Sequence, residues 1–172
     1  MIDAAVRDLL SEVLDDTRGL AAGLQPELLA TSHAIHAAEE LRFEEVKSSQ
    51  ILQDFLTDND FAVSSAVAGM PTAFIARRSF GSGGPTIAIF CEFDALEGIG
   101  HGCGHNIIAA AGVGAAVSAA SGSGGVTDPA RRFSLLGVPA RKEEEARSVC
   151  SKPAFWRGST PRLWSTRPAL ML

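Results

Sequence analysis

The segment from Thr86 to Ala120 constrains this chain more than any other. It opens with Thr86-Ile87-Ala88-Ile89-Phe90-Cys91, a continuous apolar run that predicts a central strand covered on both faces. Glu92-Phe93-Asp94 then leads into a loop carrying Gly98, Gly100, Gly102 and Gly104, and Ile107 to Ala120 follows as an Ala-rich stretch of helical composition. Open α/β sheets hold their ligands beyond the carboxyl ends of their strands, where a strand gives way to a helix.

The flanking sequence supports an α/β class. Val6, Leu9, Leu10, Val13 and Leu20 recur at helical spacing within Ala4 to Leu24, and Pro26 suits the first turn of a second helix through His36. Phe43 to Leu56 predicts a third helix, ended by Asp58-Asn59-Asp60. The period then shortens: Phe61 to Val67 and Thr72 to Arg78 predict strands joined at Gly69-Met70-Pro71, Gly81 to Pro85 predicts a turn, and Phe133 to Val138 predicts a last strand. Alternation of this kind indicates an α/β sandwich.

At 172 residues the chain is one domain or part of a larger one, and a hydrophobic content of 46% is enough for a packed core. A net charge of −5 leaves no basic footprint, which argues against nucleic acid as a partner. Asn106 to Thr127 is uncharged but dominated by Ala and Gly, unlike the ~20 strongly apolar residues of a membrane span. Met1-Ile2-Asp3 lacks the basic start of a secretory signal, and three Cys are too few for a disulfide scaffold. The expectation is a cytoplasmic protein in a reducing compartment.

Three donors alternate with glycine in the loop: His101, Cys103 and His105. Thiolate and imidazole together suit Zn²⁺ or a similar borderline metal, and Asp94, eleven residues before His105, can add a carboxylate from the strand end. The competing reading is an ordinary glycine-rich turn with Cys103 as a small loop residue. His33 and His36 share a helical face with Glu40 one turn on, a pattern more typical of a packed or solvated face than of a metal site. Cys91, inside the apolar run, reads as core.

Ser32-His33-Ala34-Ile35-His36, Glu40-Leu41-Arg42-Phe43-Glu44-Glu45, Glu92-Phe93-Asp94-Ala95-Leu96 and Gly98-Ile99-Gly100-His101-Gly102-Cys103-Gly104-His105-Asn106 together resemble the zinc amidohydrolases and dipeptidases of metallopeptidase family M20. The likeness is to the branch that hydrolyses p-aminobenzoyl-glutamate, over roughly residues 28–140, with Glu97 where that branch has Pro and Gly102 where it has Ala. The resemblance implies the N-terminal part of a zinc-exopeptidase-like three-layer α/β/α sandwich, incomplete here. It also implies a two-metal site, with Zn²⁺, Mn²⁺ or Co²⁺, that cleaves amide bonds of small N-acyl amino acids or dipeptides. Cys103 would bridge the metals, His105 would be a terminal ligand, and Asp94 would support them. Family members are often homo-oligomers. Two cations lower the pKa of a shared water and polarise the scissile carbonyl, and a Glu general base takes the proton.

In that family the general base opens a Glu-Glu-Gly-Gly run after a strand and a turn like Gly137-Val138-Pro139-Ala140. Here Arg141-Lys142 follows instead, so the general-base Glu is absent. Composition breaks at the same place. Residues 1–140 carry 8 basic and 17 acidic residues, whereas residues 141–172 carry 7 and 3, together with both Trp. Codons compatible with Ala140 to Arg147, read two bases out of frame, can spell Glu-Glu-Gly-Gly-Gly-Gly-Lys. The shifted reading continues without a gap to a His-Pro encoded across Ser165 to Arg167, again similar to the family. The expectation is that residues 1–140 are the N-terminal portion of a catalytic domain and that residues 141–172 are a frame-shifted, non-native tail. The chain as written then lacks both the general base and the later metal ligands that the resemblance implies, and is inactive. The alternative is a small α/β binding module with a genuine basic tail.

Overall fold

The computed structural model describes residues 3–81, 86–122 and 131–138. Four helices and four strands follow in the order α1 (Ala4–Gly23), α2 (Gln25–Ala38), α3 (Val46–Asp58), β1 (Ala62–Ser65), β2 (Phe74–Phe80), β3 (Thr86–Glu92), α4 (His105–Ser121) and β4 (Arg131–Val138). The strands form one mixed sheet in the order β1-β2-β4-β3. β1 and β2 pair antiparallel, as do β2 and β4, whereas β3 runs parallel to β4 with Ile89 opposite Leu135 and Glu92 opposite Val138. A parallel pair needs a crossover, and α4 lies between its two strands in sequence.

Among the described residues, α2, α3 and α4 pack on one sheet face. Phe74 and Ala76 of β2, Cys91 of β3 and Phe133 and Leu135 of β4 meet Ile35, Leu52, Phe55, Ala109 and Val113 from α2, α3 and α4 in one buried cluster. Alternation along the strands sends Ile75 and Leu136 to the opposite face, where Val67 and Ala88 pack against them. The described residues thus supply a helical layer and a sheet, two layers of the sandwich.

Several elements differ from the sequence expectation. α3 begins at Val46 rather than Phe43, because Phe43 is left-handed at φ 67° and its N–H donates to the Glu45 carboxylate at 2.8 Å. The first strand stops at Ser65, since Ala66 and Ala68 are both left-handed and the chain enters a 3-10 turn at Val67–Gly69. β3, expected at the centre of the sheet, pairs with β4 alone among the described strands, and Ile87 and Phe90 remain 46% and 40% exposed. Residues 82–85 of the expected Gly81–Pro85 turn, the position expected of the general base and the 141–172 tail lie outside the described residues.

Candidate metal centre

β3 delivers Glu92 at its last position, and the chain then buries Phe93 completely and Asp94 almost so. The loop that follows is fastened to the helical layer. Ala95 N–H donates to the Glu40 carbonyl at 2.8 Å, and Leu96 and Gly100 exchange backbone hydrogen bonds at 2.8 and 2.9 Å. Gly100 has φ 58°, and a Cβ there would lie 3.1 Å from Glu39 Oε1, so glycine answers both the backbone conformation and the close approach. Gly104, left-handed at φ 73°, ends the loop and lets α4 begin at His105.

The His105 ring is held from both sides. Its Nδ1 lies 2.7 Å from Asp94 Oδ1 and 3.0 Å from the Asp94 carbonyl. Both partners are acceptors, so Nδ1 carries the hydrogen. Nε2 faces Glu92 Oε2 at 3.3 Å. The side chains of Glu92, His105 and Asp94 are only 16%, 16% and 8% exposed.

His101 does a different job. Its Nε2 donates to the Ile35 carbonyl at 3.0 Å, pinning the loop to α2, while Nδ1 is buried without a hydrogen-bond partner. Burial holds this imidazole below the usual histidine range, against the opposing pull of the Ile35 carbonyl. The His36 ring stands 5.7 Å away. Cys103 is an exposed free thiol in the turn closed by Gly104 N–H and the His101 carbonyl at 2.9 Å. Among the described residues, no group of three or more His, Cys, Asp and Glu side chains forms a metal cage.

No family model matches the chain. It is 37% identical over 123 residues to a mouse Xaa-Arg dipeptidase and 40% identical over 96 residues to a p-aminobenzoyl-glutamate hydrolase chain from Escherichia coli K12. These matches take in 66% and 46% of the chain but only 28% and 20% of the relatives, so the chain spans about a quarter of their length. Among solved structures, it overlays a dinuclear metal-binding M20 peptidase of Bacillus subtilis at TM-score 0.65 and 20% identity, covering 81% of this chain and 42% of that one. An aminobenzoyl-glutamate utilization protein of Klebsiella pneumoniae matches at TM-score 0.58 and 16% identity, covering 74% and 40%.

The chain is homologous to a part of the M20 peptidases and amidohydrolases.

The residues present suit an M20-type metal in one respect that the structure itself supplies. Metal-ligating histidines donate their other ring N–H to a carboxylate or carbonyl, and His105 does both through Nδ1, while Nε2 faces Glu92 Oε2 at 3.3 Å. The His33, His36 and Glu40 face is used otherwise. α2 ends at Ala38, and the Glu40 carboxylate turns to α3, accepting from Lys47 N–H at 2.9 Å and from Ser48 N–H and Oγ at 2.8 Å. Burial would raise its pKa, but those hydrogen bonds and the Lys47 charge outweigh it, and the carboxyl sits below its ordinary value. Cys91 is core, with burial pushing its thiol up to about 12.

Two acids in this M20-like fold went unassigned from sequence. Glu45 is fully buried, accepting from Phe43 N–H and from Thr72 Oγ1 at 2.9 Å. Burial, with the Asp94 charge adding to it, raises its pKa to about 7. Glu92 was visible only as a residue at a strand end. The parity of β3 gave no sign that its carboxylate meets an imidazole thirteen residues later.

Proposed function

We propose that residues 1–140 are the N-terminal portion of a metal-dependent hydrolase that cleaves amide or peptide bonds in small N-acyl amino acids or dipeptides. The observation that carries this is the Asp94–His105 contact of 2.7 Å where β3 hands over to α4, in a chain homologous to M20 enzymes. Cys103 and His105 are the metal ligands in this reading, and Asp94 orients the His105 ring. When bound, Zn²⁺ (or Mn²⁺ or Co²⁺), two per site, acidifies a water and polarises the substrate carbonyl. Free thiols at Cys91 and Cys103 fit a cytoplasmic setting. No described helix is long and apolar enough to cross a membrane.

This reading makes the reading frame at Ala140 decisive. Arg141-Lys142 stands where the general base belongs, and its loss removes ~10²–10⁴-fold in rate. The chain as written is therefore expected to hydrolyse neither dipeptides nor p-aminobenzoyl-glutamate with zinc, manganese or cobalt added. Coding DNA read across Ala140 tests the frame directly. In a frame-restored protein, Cys103→Ser and His105→Ala should each remove bound zinc together with activity. Turnover by the chain as written overturns the frame-shift reading, and unchanged zinc content in both variants overturns the ligand assignment.

A further inference from the structure

We propose that the outer edge of β3 is an interaction surface for a second copy of this chain, the two β3 strands pairing antiparallel about a two-fold axis at Ile89. The inference is independent of the hydrolase reading, because it uses only backbone groups and apolar side chains.

Three observations carry it. The first is a contrast between the two ends of the sheet, where β1 and β3 are the outermost described strands. Native proteins blunt an exposed edge by keeping it short, by bending it away, or by placing Lys or Pro on it. β1 follows that rule: it has four residues and stops where Ala66 and Ala68 turn left-handed. β3 has seven residues, Thr86–Glu92, with neither Lys nor Pro among them. Its register with β4 runs unbroken from Thr86 opposite Arg132 to Glu92 opposite Val138, so no bulge twists it away.

The second is where burial stops. Phe133 and Leu136 of β4 are buried, whereas their register partners on β3, Ile87 and Phe90, stand 46% and 40% exposed. Ile87 and Phe90 point to opposite faces of the sheet, being three positions apart on a strand. A helix laid on one face would cover only one of them. A strand added at the edge brings side chains alongside both.

The third is self-complementarity. With Ile89 on the axis, Ala88 of one copy lies opposite Phe90 of the other, so a small side chain meets a large one on both sides of the axis. Ile87 then lies opposite Cys91, and Thr86 opposite Glu92. Glu92 is the sole charged residue of the strand, and no like charge faces it across the seam. A charged peptide would find no counter-charge along Thr86 to Cys91, which favours a second β3 as the occupant. The pairing consumes the β3 edge of both copies and leaves the two short β1 edges outermost, so it closes at a dimer instead of growing.

The test is sedimentation velocity of the full 172-residue chain across micromolar concentrations with reductant present, joined to amide hydrogen exchange. The expected result is a reversible passage from the 18.0 kDa chain to a species of twice that mass, with protection of the Thr86 to Cys91 amides rising as the dimer forms. Ile87→Lys places an edge-guarding charge at a half-exposed position, and is expected to weaken association at least about tenfold while keeping the far-UV circular dichroism of the parent. Should that variant fail to fold, Phe90→Lys on the opposite face takes its place, and should both fail, the exchange pattern of the unsubstituted chain decides. A monomer at every concentration overturns the proposal; β3 amides protected in that monomer would assign the edge to another segment of the same chain. A dimer whose β3 amides exchange as fast as in the monomer puts the contact elsewhere and overturns it too. Growth beyond the dimer overturns the two-fold pairing, as does parent affinity in a folded Ile87→Lys.

Discussion

α1 and α4 are similar in length and opposite in what holds them. α1 has a regular apolar stripe, yet none of its residues is buried, and Leu9, Leu10 and Leu14 each stay about half exposed. α4 is apolar almost all round, and nine of its seventeen residues are buried. What separates them is the size of the residues at the contact. Ala and Gly bring the α4 backbone close to β3 and α2, so much that a Cβ on Gly112 would lie 2.1 Å from Cys91 Sγ and one on Gly114 2.7 Å from Leu28. An amphipathic stripe reports a helix that can pack. A run of small residues reports one that is held at close quarters.

The largest effect expected from this difference is at Gly112. Gly112→Val should lower stability by about 3 kcal/mol, because neither β3 nor α4 can retreat without disturbing the glycine-rich loop between them. Urea unfolding measures it, and an unchanged midpoint would mean that the close α4–β3 contact is not present in solution.

A comparable change is expected from pH, acting through Glu45 at the start of α3. Its folded pKa is raised to about 7 from 4.5, so the folded state binds more protons than the unfolded state between those values. Stability contributed by the protonated acid is complete below about 4.5 and is lost as pH rises toward 7, on the order of 3 kcal/mol in all. Glu45→Gln should flatten that slope and leave the variant more stable than the parent at pH above 7. A parent curve with no decline in this window would show that Glu45 is not buried as the acid.

The smallest effect belongs to α1. Leu10→Ala should change stability by less than about 0.5 kcal/mol, since the side chain is half exposed and lies outside the main core. A loss several times larger would place α1 against a surface and bring it nearer to α4 in character.

The order and type of the elements were legible in the sequence because period 3.6 and period 2 are local signals. The Asp94–His105 juxtaposition was partly legible, since a strand end, a glycine loop and a helix start bring residues eleven apart within reach. Glu45 was not. Its burial depends on Thr72, twenty-seven positions away, and on Phe43 adopting a positive φ, and no nearby pattern encodes either. The apolar run of β3 marks a strand suited to cover on both faces. The described residues show one neighbouring strand, in a chain that spans about 40% of the solved structures it matches.

The pins that hold the glycine-rich loop join residues remote in sequence. His101 reaches Ile35 across 66 positions, and Asn106 reaches Ser32 across 74. Contacts of such separation need a long loop to close before any of their energy is gained, so they belong to the slow, late part of folding. α2 and α4 are built from local contacts, whereas the loop acquires its shape only once the two have docked. The geometry around His105 is therefore a marker of completed folding, and a chain stalled earlier would leave His101, His105 and Asp94 without their fixed mutual arrangement.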